Sequence, residues 1–148
     1  MKRRRKRGGP RRSRLRRIYG RASSAPVLYR PMAPALDGHP ACGNLRDMLG
    51  VRPRIDVRPR ADSTVGPDGR GMSVNADPQR LPPSIRPQRR GGTGKLPLYK
   101  IGPPALGAAL ALEPPMPSAH AVVQPAREMY IDDFQDSLCA TRGAWGKS

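Results

Sequence analysis

His120-Ala-Val-Val-Gln-Pro125-Ala-Arg-Glu-Met129 opens on one of two imidazoles in the chain, runs on through adjacent valines and stops at a proline. Branching at Cβ restricts χ1 and suits a pleated surface, so Val122 and Val123 favour extended backbone. Pro125 has no N–H to give a ladder, which places the strand at His120–Gln124 and fixes its imidazole on a rigid element. The pattern then changes period. Ile131, Phe134, Leu138 and Cys139 fall at i, i+3, i+7 and i+8, one face of an amphipathic helix. Asp132 and Asp133 in its first turn and Arg142 in its last complement the helix dipole, and Gly143 is placed to close it.

Upstream, the elements are shorter. Pro67-Asp-Gly69 reads as a turn, because proline presets φ and glycine accepts positive φ, and Met72-Ser-Val74 follows as a short strand. Leu96–Ile101 is a strand with Leu96, Leu98 and Lys100 on one side and Tyr99 and Ile101 on the other. Arg54-Ile-Asp-Val-Arg58 alternates between Pro53 and Pro59, which predicts a half-buried strand. Asn44–Leu49 reads as one helical turn capped by Asn44 and closed by Gly50. Residues 106–112 form an apolar patch that is either a helical turn or a strand, and residues 77–94 read as loop. No internal repeat is present. Short strands, loops and a terminal helix predict a small α+β domain.

Composition sets its limits. The net charge is +17, and residues 1–21 carry 12 Lys or Arg and no acid, while residues 22–148 carry 16 basic against 11 acidic residues. Basicity therefore belongs to an arm, whose self-repulsion and low apolar content predict disorder. With the proline- and glycine-punctuated stretch that follows, the arm is expected to span residues 1–43, and the folded domain residues 44–148. Leu, Ile, Val and Phe number 25 of 148, with 11 of them in residues 94–145. Any stable core is expected to be thin and built around the C-terminal part. Cys42 and Cys139 have no metal or framework spacing, so reduced thiols are the expectation. No apolar run is long enough to span a membrane, and no apolar region follows Arg17 as in a signal peptide.

Several chemistries are disfavoured on spacing. Gly91-Gly-Thr-Gly-Lys95 lacks the P-loop pattern, with Arg89 and Leu96 where glycine and a hydroxyl are needed, and it reads as a flexible turn. His39 and Cys42 form half a zinc site without a second pair of ligands, so no metal site is expected. No GxSxG elbow surrounds Ser73, which argues against a Ser/His hydrolase. Asp132, Asp133 and Asp136 belong to a solvated helix face. The arm, with Tyr19 its one aromatic, suits sequence-blind binding of nucleic acid through phosphate neutralisation.

The order of short motifs adds a second line of evidence. Asp56-Val57, Pro67-Asp68-x-x-Gly71-x-Ser73-Val74, Leu81-Pro82-Pro83, Lys100-Ile101 and His120-x4-Pro125-Ala-Arg-x-Met129 precede a helix ending near Trp145. This series resembles the small ADP-ribosyltransferase-like toxin family typified by a type VI secretion effector, with bacterial and fungal relatives. The likeness covers Asp56 to Trp145 and is most specific in the string that begins at His120. It implies a mixed fold in which two small sheets enclose an NAD cleft. It further implies Ser73 and His120 as catalytic residues, with Ser73 also binding NAD. For the early arginine it leaves Arg30, in Leu28-Tyr29-Arg30, and Arg54 as candidates, and for stacking on nicotinamide Tyr99 or Trp145. Met72 stands where the type VI effector has threonine, and Glu128 and Glu113 do not occupy a recognisable catalytic-glutamate position. The implied function is that of a cytotoxic protein that binds or uses NAD, in the cytoplasm or delivered into a target cell's cytoplasm. An acidic antitoxin or immunity protein is the implied partner. The competing expectation is a non-enzymatic protein that binds nucleic acid through its arm.

Overall fold

The computed structural model describes residues 26–148, and the basic arm lies outside them. Eight strands are described: β1 (Leu28–Pro31), β2 (Thr64–Val65), β3 (Met72–Asn75), β4 (Leu98–Ile101), β5 (Leu110–Glu113), β6 (His120–Pro125), β7 (Met129–Tyr130) and β8 (Gly146–Lys147). One α-helix, α1 (Ile131–Ala140), follows β7. Six strands form an antiparallel sheet in the order β5-β6-β3-β1-β4-β8, and β2 pairs with β7 apart from it. The molecule is thus mixed α+β, mostly strand, with a C-terminal helix. No helix among the described residues is long and apolar enough to cross a membrane.

Alternation along each strand sorts side chains into core and surface. In β3, Met72 and Val74 are buried and Ser73 is exposed; in β6, Ala121 and Val123 are buried and His120 is exposed. Phe134 and Leu138 of α1 meet Leu28, Val51, Val123 and Trp145 in one core. Ile131 packs at its edge and Cys139 is half-buried, so the helical stripe faces the body as its period requires.

The sheet is strong within two halves and weak between them. Four residue pairs join β5 to β6, four join β3 to β6, and four join β1 to β4. Only Tyr29↔Asn75 joins β1 to β3. Beyond that pair Pro31, which has no N–H, continues β1 against β4 alone. Arg30, Pro31 and Ser73, beside the gap opened there, line a cleft.

Several expectations need correction. The folded part begins well before Asn44: Leu28 is fully buried, and β1 sits between β3 and β4. Residues 54–58 form a turn, not a strand. Asp56 accepts a bond from the Arg52 amide, Ile55 and Asp56 donate back to the Arg52 carbonyl, and Arg54 takes φ 68°. Residues 44–49 are irregular rather than helical. The patch at 106–112 divides into a 3-10 turn (Pro103–Leu106) and β5. α1 ends at Ala140; Arg142 and Gly143 belong to a following 3-10 turn, where Arg142 pairs with Asp37. Cys42 and Cys139 are not free thiols but a disulfide, with Cα atoms 5.6 Å apart across 97 positions of sequence.

Candidate functional site

A cleft of about 530 Å³ lies where β1 and β3 part, with Arg30 and Pro31 on one side and Ser73 on the other. Arg30 shares its face of β1 with Leu28, so its guanidinium comes up from the core side. Nη1 donates to the Ser73 carbonyl at 2.8 Å, bridging the gap between the sheet halves. Nη2 donates to the carbonyls of Arg46 (3.1 Å) and Met48 (3.0 Å). Nε is buried and has no protein partner among the described residues. Burial pushes the Arg30 pKa down to about 10, although Asp56 and Asp47 pull it back up, so the group remains a cation at neutral pH.

Ser73 is the meeting point. Its carbonyl receives Arg30, and its Oγ lies 3.4 Å from Nε2 of His120. The register explains the second contact: Ser73 faces Val122 and Asn75 faces His120, so the two side chains are diagonal neighbours on one face. Both are exposed. The structure therefore brings the Ser73 and His120 side chains together on one face, while Arg30 meets Ser73 only at its carbonyl, from the other face, and His120 does not line the cleft.

The other candidates fall elsewhere. Arg54 is exposed on its turn and does not line the cleft. Tyr99, expected to bind the cofactor, is 1% exposed; its hydroxyl donates to the Gly38 carbonyl at 2.7 Å, and burial, then Asp37, raises its pKa. Trp145 is likewise buried, with Nε1 donating to Thr141 Oγ1. Both rings lie in the core because each has an internal partner for its polar atom. Glu128 pairs with Arg60 at 2.6 Å and accepts from Thr64, while Glu113 is exposed at the end of β5. Neither lines the cleft.

The sequence named parts of the far wall, Asp56 and Gly91–Leu96, but for other roles. That wall consists of Arg46, Asp47, Arg52, Asp56, Ser84 and residues 93–96. Asp56 accepts from Arg52 at Nε, Nη2 and the backbone amide; burial alone would raise its pKa, but these bonds prevail and hold it below the usual carboxylate range. An arginine and an aspartate four apart were the only trace of this clasp. The Gly91–Lys95 stretch is more than a flexible turn, since Thr93, Gly94 and Lys95 form cleft wall. Its amides are already engaged: Gly92 donates to Pro87, Thr93 to Pro83 and Gly94 to Arg86. A Cβ at Gly92 or Gly94 would collide with the backbone of residues 85 and 86, so packing accounts for both glycines. Phosphate cradling by that backbone is thereby disfavoured, leaving side chains such as Lys95 and Arg46 to face an anion. No protein-family model, curated protein or solved structure matches this chain.

Proposed function

We propose that this chain is an ADP-ribosyltransferase-like cytotoxic protein whose cleft binds NAD. The observation that carries the reading is Ser73, which lines the cleft with Arg30, receives that arginine at its carbonyl, and has its Oγ 3.4 Å from Nε2 of His120, a residue that does not itself line the cleft. The motif order implies two small sheets around a cleft; here β1 and β3, which flank the cleft, belong to one six-stranded sheet joined at that point by a single residue pair. The cleft volume lies within the range of small-molecule sites. Arg46 and Lys95 line the cleft and form no ion pair among the described residues, so they are the donors that fit a polar, anionic ligand.

NAD, when bound, supplies a nicotinamide–ribose bond whose cleavage develops positive charge on the ribose. The chain's own groups act around that change. Ser73 Oγ would hydrogen-bond the ribose or the carboxamide, and His120 Nε2, 3.4 Å from it, would be the group able to hold or give up a proton beside that serine. Arg30 positions Ser73 through its carbonyl and holds the cleft open at a defined width. Asp56, tied to Arg52, contributes negative potential at the far wall. An acidic immunity protein is the partner that complements a chain of this charge, and the cytoplasm, reached directly or by delivery, is where NAD is met.

Calorimetry with NAD on the full chain, beside growth on inducible expression in bacteria, tests the reading. Binding lost on Ser73→Ala, together with growth arrest lost in the same variant, is expected. Growth arrest that survives Ser73→Ala and His120→Ala but disappears without residues 1–21 would overturn it in favour of nucleic-acid binding by the arm.

A further inference from the structure

Residues 41–50 separate two cavities. Arg46 and Asp47 face the cleft, while Cys42, Gly43, Asn44 and Leu49 face a second groove of about 380 Å³ against α1. The Cys42–Cys139 disulfide joins two half-buried residues that both line that groove. The same segment supplies two of the three carbonyls that hold Arg30, those of Arg46 and Met48. One covalent bond thus ties α1 to the segment, and the segment holds the arginine that spans the sheet halves.

We propose that Cys42–Cys139 is a redox site for a dithiol reductant, and that its cleavage loosens residues 41–50 and weakens the hold on Arg30. In the first step a reductant thiolate bonds to one sulfur, the bond between Cys42 and Cys139 breaks, and the other sulfur leaves as a thiolate. The reductant's second thiol then displaces the mixed disulfide. Two electrons pass from the dithiol, which ends as a disulfide, and its two protons end on Cys42 and Cys139. The segment does not unfold outright. Ala33 still donates to Asp47, Leu49 to Ala41 and Val51 to Gln135 Oε1, and Leu49 stays in the core. What disappears is the covalent restraint on the stretch between Cys42 and Leu49. Local opening of such a segment costs less than global unfolding, which lets one bond control the cleft wall.

The effect on ligand affinity rests on the NAD reading above; the effect on the segment does not. The test uses the full chain, oxidised and after dithiothreitol, read by iodoacetamide labelling with mass spectrometry and by amide hydrogen exchange. Two labelled cysteines are expected only after reduction. Exchange across residues 41–50 should rise by about tenfold or more, while the β3 and β6 amides keep their protection. NAD affinity should fall by about tenfold, because Arg30 is held less firmly by the Arg46 and Met48 carbonyls and so positions Ser73 less well. Two labelled cysteines before reduction, unchanged exchange across 41–50, or equal loss in β3 and β6 would each overturn the proposal. Cys139→Ser should reproduce the reduced state; if it fails to fold, the native chain titrated with dithiothreitol decides. Absence of NAD binding in both redox states would overturn the NAD reading and leave the exchange result to judge the redox site.

Discussion

Nε2 of His120 lies 3.4 Å from Oγ of Ser73, although 47 positions of sequence separate them. That is longer than a well-formed hydrogen bond, and both side chains are exposed. The pair shares a surface without bracing the fold. Arg30 differs: it touches the same serine at the carbonyl, from within the protein, and ties three backbone segments together. Residues at one site thus divide into those that reach outward and one that holds the walls.

His120→Ala and Ser73→Ala should each leave stability within about 0.5 kcal/mol of the native chain, as substitutions at exposed positions do. Both should abolish NAD binding and growth inhibition. Thermal melts and calorimetry on the same preparations check this, and a folded variant with native NAD affinity would remove that residue from the site.

Arg30→Ala should destabilise the protein by about 2–3 kcal/mol, because three carbonyls lose a charged donor and water can reach only part of the space. Arg30→Lys should recover a fraction of that. An ammonium keeps the charge but lacks the planar fork that meets carbonyls on different segments. Urea denaturation of the three proteins gives the order, and Arg30→Ala as stable as the native chain would show that the bridge between sheet halves contributes nothing.

Asp56 should make stability fall in acid. Its folded pKa lies below the ordinary aspartate value, so its contribution is complete well above about pH 3.9 and is lost as pH drops through the lower folded value. Asp56→Asn should cost about 1 kcal/mol at pH 7 and remove that part of the acid dependence. Equal slopes of stability against pH between pH 2 and 5 for both proteins would contradict it.

A chain beginning at Asn44 should not fold, since it lacks β1, the strand to which both sheet halves are joined. Circular dichroism and proteolysis of that fragment, beside one beginning at Ala25, give the comparison. Cooperative melting of the Asn44 fragment would mean that β3 and β4 can pair without β1.

The strongest periodic signals lay in one place. β6 and α1 were legible because adjacent valines ahead of a proline and a 3.6-residue stripe are each local and unambiguous. The 54–58 turn was not, because alternation cannot reveal that Asp56 captures the Arg52 amide. β2, β7 and β8 are two residues long, too short to carry any period. The contact between Ser73 and His120 joins two residues that the motif order singled out, whereas Arg54, the alternative to Arg30, and Tyr99 lie away from the cleft, and no pattern within β4 shows that the Tyr99 hydroxyl reaches Gly38. The disulfide links elements 97 positions apart, and pairing over that distance leaves no trace in local spacing.

The central place of β1 governs when the cleft can exist during synthesis. This strand is among the first parts of the described chain to be made, yet its best-paired neighbour is β4, and β3 needs β6 for its own far edge. Long-range antiparallel pairings of this kind form late and slowly, after the cost of closing large loops has been met. A nascent chain that has reached only Asn75 holds Arg30 and Ser73 but neither β4 nor β6. The Ser73–His120 contact, and the β6 neighbour that β3 needs, come into being only after His120 has left the ribosome, so a cell making this protein meets no such pair on its partial translation products.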